Sequence, residues 1–200
     1  MAERTGGMTA EQAVSELFAL CRQQAGANYI GEAVSQLEHM HQAADLALAE
    51  GADEELVLAA FCHDVGHFCA PLTAANSMAG LGRQGHEQVG AHWLRRLGFS
   101  DRLAGLVARH VQAKRYLCWR DAVYLSGLSL ASRQTLDWQG GPMTSEEAAV
   151  FEADPLFADS LRLRCWDEAA KVPGLPPGSL SHLERIALCV HQAGGLPVGL

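Results

Sequence analysis

Long apolar runs are missing from this 200-residue chain, and none approaches the roughly 18 residues that a membrane span needs. Cys-x-x-Cys pairs are missing too: the six cysteines, Cys21, Cys62, Cys69, Cys118, Cys165 and Cys189, are scattered, which excludes a zinc ribbon. Most of them fall in apolar helical patterns and read as reduced, buried small hydrophobes. Positive charge is scarce, with 15 Lys and Arg against 23 Asp and Glu and a net charge of −8. Phosphate neutralisation along a nucleic acid needs clustered cations, so a nucleic-acid partner is not expected. A small anionic substrate held in a local pocket stays open. Neither period-2 alternation nor an internal repeat is present, which argues against sheet and solenoid architectures. Met1 to Thr9 carries both charge signs and no apolar stretch, unlike a signal or transit peptide, and the expected location is the cytoplasm.

Helical periodicity is what the chain has instead. Thr9-x-x-Gln12 is a capping box ahead of Val14, Leu17, Phe18 and Cys21 at i, i+3, i+4, i+7. A second helix is expected over about 33–50, with Val34, Leu37, His41, Ala44 and Leu48 on its inner face and Gly51 closing it. Asp53 caps a third with the stripe Leu56, Val57, Ala60, Phe61, and 72–85 reads as a loop. His86 to Leu97 forms a fourth, stopped by Gly98, and Ser100 caps a fifth carrying Leu103, Leu106, Val107, His110 and Val111. Thr144-x-x-Glu147 and Ser181-x-x-Glu184 mark two later starts, and Pro155 opens a helix to about Lys171. Trp93, Trp119, Trp138 and Trp166 read as core or helix-packing residues. The expected fold is an all-α bundle in one domain over 1–200, with a core of about 9–171 and a C-terminal helix of about 181–193 packed on it.

Nine histidines are more than the core of an acidic protein needs, and several form a pattern. His39, His63, His86 and His110 are spaced 24, 23 and 24 residues apart, about a helix and a loop each, so each arrives on its own helix or helix end. Such helices can converge on a metal site inside a bundle, where imidazole and carboxylate suit iron, manganese or zinc. His63-Asp64 is the sharpest element, since it follows the apolar run Leu58 to Cys62 and precedes Val65-Gly66-His67. A His and an Asp entering a core stripe must be paired or metal-bound. His67 lies one turn past His63, Lys114 four residues past His110, and Arg164 three before Asp167. Lys, Arg and imidazole donors in that layout suit a small anion with several acceptor oxygens. His41, His92, His182 and His191 lie off the spacing and read as surface or packing residues.

The stretches Tyr29-Ile-Gly-Glu32, Gln36-Leu-Glu-His39, His63-Asp64-Val-Gly-His67, Gly85-His86-Glu87, His110-Val-Gln-Ala-Lys114 and Arg164-Cys-Trp-Asp167 together resemble the HD-domain mixed-valence diiron oxygenases. The closer likeness is to the phosphonate-cleaving PhnZ/TmpB-type branch, related to myo-inositol oxygenase. The resemblance implies an HD-domain helical bundle with a central dinuclear site of two irons, Fe(II)/Fe(III). Their ligands would be His39, His63, Asp64, His86, His110 and Asp167, with Asp64 bridging. It also implies phosphonate contacts from His67, Lys114, Ser132 and Arg164. Tyr29 would fill an iron position until substrate displaces it, with Glu32 moving alongside, and Asn28 and Glu32 would meet the nitrogen end of the substrate. The implied reaction uses O2 to oxygenate C1 of a 1-hydroxy-2-(amino or trimethylammonio)ethylphosphonate. Carbon–phosphorus cleavage then gives phosphate and glycine or glycine betaine, downstream of a hydroxylase that makes the substrate.

Two other readings compete. A metal-dependent HD phosphohydrolase acting on phosphate monoesters or nucleotides would use the same ligands, with Lys114 and Arg164 steadying developing charge, but leaves Tyr29 and Glu32 without a role. A metal-free binding module would require lost ligands, and all six are present.

Overall fold

A computed structural model describes residues 8–24, 26, 29 and 31–194, and among these it forms ten α-helices. Three capping boxes set helix starts. Thr9 with Gln12 opens α1 (Ala10–Gln23), Ser35 with Glu38 opens α2 (Gln36–Ala49), and Thr144 with Glu147 opens α8 (Ser145–Glu152). Asp53 caps α3 (Glu54–Cys62) and Ser100 caps α5 (Asp101–Arg120) through single side-chain bonds. Between them α4 (His86–Arg96) follows Gly85, whose φ of 70° is a left-handed turn that a side chain would oppose. Next come α6 (Ala122–Gly127) and α7 (Leu130–Trp138), and α9 (Phe157–Ala169) and α10 (Leu180–Gly194) complete the set. Ser77 and Arg83 form an isolated antiparallel bridge.

Helix α3 is the axis of the bundle, because every residue from Leu56 to Cys62 is fully buried. A helix that is apolar all round has to be enclosed. Packed about it are α2, α5, α9 and α10, while α4 lies along α5 and against the 3-10 turn Val65–His67. The inner side of α10, with Leu183, Ile186, Ala187 and Val190, closes over α1 and α3. None of the described helices is long and apolar enough to cross a membrane.

Several local readings are corrected. The buried side of α2 is not the stripe through Leu37 and Leu48, which are half-buried. It spans Gln36, His39 to Ala44 and Ala47, because α3 and α9 cover the helix from two sides. Pro155 does not open α9: the Asp154 carboxylate accepts the Leu156 N–H and makes a separate turn, and the helix begins at Phe157. Ser181 is inside α10, since the Ser179 carbonyl takes the N–H groups of His182 and Leu183 and moves the start upstream. Cys165 and Cys189 are exposed and Cys69 is half-buried, leaving three cysteines in the core. Trp93 and Trp166 are buried, whereas Trp119 and Trp138 are 40% and 46% exposed at the ends of amphipathic helices.

Candidate metal centre

Each histidine of the regular spacing reaches the bundle centre from a different element. His39 comes from the second turn of α2, His63 from the C-cap of α3, His86 from the first residue of α4 and His110 from the middle of α5. All four are buried, and each uses its Nδ1 on a backbone carbonyl. His39 bonds Ala170 O at 2.8 Å, His63 bonds Ala60 O at 2.7 Å, His86 bonds Arg83 O at 3.2 Å and His110 bonds Val107 O at 2.8 Å. A carbonyl only accepts, so every Nδ1 carries the hydrogen and every neutral ring turns its Nε2 lone pair inward.

Those nitrogens meet in two pairs, His39 with His63 and His86 with His110, each 3.0 Å apart. Asp64 lies between the pairs with one oxygen for each. Its Oδ2 is 3.8 Å from His39 Nε2 and 3.5 Å from His63 Nε2, and its Oδ1 is 3.2 Å from His86 Nε2 and 3.6 Å from His110 Nε2. Asp167 on α9 aims Oδ1 at the first pair, 3.4 Å from His39 and 3.7 Å from His63. That oxygen is buried without a hydrogen-bond partner. A buried anionic oxygen facing two lone pairs is repulsive unless a cation sits among them.

The donor set therefore fits two cations: one held by His39, His63, Asp167 and an oxygen of Asp64, the other by His86, His110 and the second oxygen of Asp64. Nitrogen and carboxylate donors suit borderline first-row metals. Burial pulls His86 down, but the adjacent Asp64 outweighs it and raises the ring, while burial and the neighbouring His86 push His110 down to about 3. Burial likewise opposes ionisation of Asp64 and Asp167. The imidazoles about Asp64, and Arg164 with His63 and His39 about Asp167, overcome it and hold both carboxyls well below their usual range.

His67 is different in kind. Although its atoms lie close enough to Asp64 and His86 to join a ligand group, its Nδ1 accepts the Arg83 N–H at 3.0 Å. The neutral ring must then carry its hydrogen on Nε2, so it presents a donor rather than a lone pair. It stacks on His86 at 3.9 Å, and burial pushes its pKa down to about 3, keeping it neutral.

A cavity of about 60 Å³ opens beside the centre, and Tyr29, Glu32, His67, Lys114, Ser132 and Arg164 all line it. Asn28 falls outside the described residues. The Tyr29 ring stacks on His39 at 3.9 Å, and its phenol is pushed well up by burial and by Asp64. Lys114 is buried one turn beyond His110 and donates to Thr135 Oγ1 and Gln139 Oε1, both at 2.9 Å. Arg164 is less free than an open phosphonate clamp, because its fork already grips Asp167, Glu168 and the Tyr124 hydroxyl. Its first effect is thus to orient Asp167. Thr135, Gln139 and Tyr124 escaped the sequence reading, since they lie in a stretch with no apolar stripe.

A family model for the HD domain matches residues 36–159. The hydroxymethylphosphonate dioxygenase of Gimesia maris is 41% identical over 167 residues, covering 84% of this chain and 82% of the relative. The 1-hydroxy-2-(trimethylamino)ethylphosphonate dioxygenase (glycine-betaine-forming) of Leisingera caerulea is 41% identical over 143 residues, 72% of each chain. An uncharacterized protein of Acanthamoeba polyphaga mimivirus is 42% identical over 161 residues, 80% of this chain and 74% of the relative. On this evidence and the shape of its centre, the chain belongs to the HD-domain family, as an oxygenase of its PhnZ-type phosphonate branch.

Proposed function

We propose that the protein is a cytoplasmic, iron- and O2-dependent oxygenase that cleaves the carbon–phosphorus bond of a 1-hydroxyphosphonate to phosphate and a carboxylic acid. The observation that carries this reading is the pair of lone-pair clusters joined by Asp64, opening on a cavity walled by donors. His39, His63, Asp64, His86, His110 and Asp167 would hold two irons, whose chemistry when bound is Lewis-acid binding of the substrate oxygens and redox activation of O2. The residues of the chain do the rest. His67 offers an Nε2–H that cannot be lost near neutral pH, and Lys114, held by Thr135 and Gln139, keeps a third N–H and its charge on the same wall; both would meet acceptor oxygens of the substrate. Tyr29 lies flat on His39 and shields the first cluster from water until a ligand enters. Ser132 adds a hydroxyl to the cavity wall. A hydroxylase acting at C1 of the parent phosphonate would supply the substrate.

The test is ³¹P NMR of iron-loaded protein with hydroxymethylphosphonate, 2-amino-1-hydroxyethylphosphonate and its trimethylammonio analogue, with air and without. Phosphate released only with oxygen is the expected result. Oxygen-independent hydrolysis of phosphate monoesters, with all three phosphonates untouched, would replace this reading by the phosphohydrolase.

Lys114 gives the reaction a pH limit. Burial, then the neighbouring Arg164, pulls its pKa down to about 7. Below that value the ammonium is charged and grips the phosphonate; above it the charge is lost. We therefore expect kcat/KM, which reports the free enzyme, to fall as pH rises through about 7. In Lys114→Arg, which stays charged, this limb should vanish. Lys114→Met should cost roughly 10- to 100-fold in kcat/KM, the worth of a charged hydrogen bond. A wild-type profile that is flat up to the alkaline range would refute the assignment.

A further inference from the structure

Lys171 lies just past the end of α9, outside every motif of the site, yet its ammonium reaches two residues of the cavity wall from behind. Its Nζ is 3.4 Å from Glu32 Oε1, 3.4 Å from Ser132 Oγ and 3.1 Å from Glu168 Oε1. The side chain is only 12% exposed, so its charge is poorly screened by water. Ser129 donates a hydrogen bond to the same Glu32 oxygen at 2.6 Å. Glu32 is thus one half of an ion pair whose positive half lies behind the cavity wall.

We infer that Lys171 sets substrate specificity, reserving this end of the cavity for 1-hydroxyphosphonates without a cationic substituent. The inference rests on the oxygenase reading and narrows it. Glu32 is the one carboxylate lining the cavity away from the metal cluster, and Lys171, shared with Glu168, offsets part of its charge. Its second oxygen can still accept from a neutral hydroxyl, but beside Lys171 it attracts a cation less than a free carboxylate would. Recognition of a quaternary ammonium needs open aromatic faces. Among the described residues lining the cavity, Tyr29 is the only aromatic ring besides imidazoles, and its face is taken by His39.

The experiment compares wild type, Lys171→Met and Lys171→Arg, all iron-loaded, on hydroxymethylphosphonate and 2-amino-1-hydroxyethylphosphonate. Wild type should favour the uncharged substrate by about tenfold or more in kcat/KM, and Lys171→Met should move the ratio toward the ammonium substrate by a similar factor. Lys171→Arg, which keeps the charge, should keep the wild-type ratio and controls for loss of structure. In parallel, calorimetric titration with ethylphosphonate and 2-aminoethylphosphonate reads the same discrimination without turnover. No phosphate from any hydroxyphosphonate would defeat the oxygenase reading, while the titrations would still judge Lys171. A wild-type preference for the ammonium compounds, or a ratio unmoved in Lys171→Met, would overturn the inference.

Discussion

Asp64→Ala should bind neither metal stably and lose about a thousandfold or more of its activity, more than substitution of any single histidine. The reason is position. Each histidine serves one cluster, but Asp64 sends Oδ2 toward His39 and His63 and Oδ1 toward His86 and His110. On the proposed assignment, removing it would take a ligand from both sites and would leave two cations facing one another without an anion between them. Asp64→Asn separates charge from shape: it keeps one acceptor oxygen but turns an N–H toward one imidazole pair, so it should retain at most one metal. Metal content by inductively coupled plasma mass spectrometry and phosphate release by ³¹P NMR give the two readouts. Thermal unfolding gives a third. A ligand that binds only the folded state raises Tm by mass action, so added iron should stabilise wild type and leave Asp64→Ala unmoved. Two metals per chain in Asp64→Ala would show that Asp64 is not the bridge.

The parts of the molecule legible in the sequence are those whose signals are local. The capping boxes at Thr9, Thr144 and the cap at Asp53 fix helix starts within four residues of chain, and the unbroken apolar run of α3 announces its burial. The histidine spacing puts each ring on its own element, although the step from His63 to His86 is made by 3-10 turns and loop rather than by an α-helix. The region of α6 and α7 gave no such signal: Val123 and Leu130 are 77% and 73% exposed, and Leu136 is the only residue of those helices fully buried. Helix α2 misled because a stripe describes a helix covered on one side, and this one is covered on two. What escaped altogether are pairings that only tertiary structure creates. Lys171 meets Glu32 across most of the chain, and Gln139 holds Lys114 from a helix with no motif. The tautomer of His67 is equally invisible, because it depends on the backbone N–H of Arg83 in a distant loop.

The second large effect comes from a residue with no side chain. Gly66→Ala should lower stability by about 3 kcal/mol or more, at the upper end of overpacking effects, and take the second metal with it. Gly66 sits in the 3-10 turn Val65–His67, where the backbone presses directly on the start of α4. A Cβ at this position would lie 1.8 Å from His86 O and 2.7 Å from Gly90 N. Both are backbone atoms of one helix, so neither can rotate away as a side chain would, and the turn and α4 must separate. For a chain of this length such a loss corresponds to a fall in Tm of roughly 6–12 °C. The separation also has a direction. Asp64 and His67 flank the glycine on one side of the seam and His86 begins the helix on the other, so the His86–His110 cluster should fail before the His39–His63–Asp167 cluster, which lies on α2, α3 and α9. Metal content should therefore fall toward one ion per chain rather than to none. Gly90→Ala approaches the same seam from α4 but meets Gly66 N and Val65 Cγ1 at 3.1 Å, a contact that small shifts can relieve, so its cost should be clearly smaller. A Gly66→Ala protein with wild-type Tm and both metals would mean that the seam is looser than these distances require, and that Asp64 is not held against α4 by the backbone of its own turn.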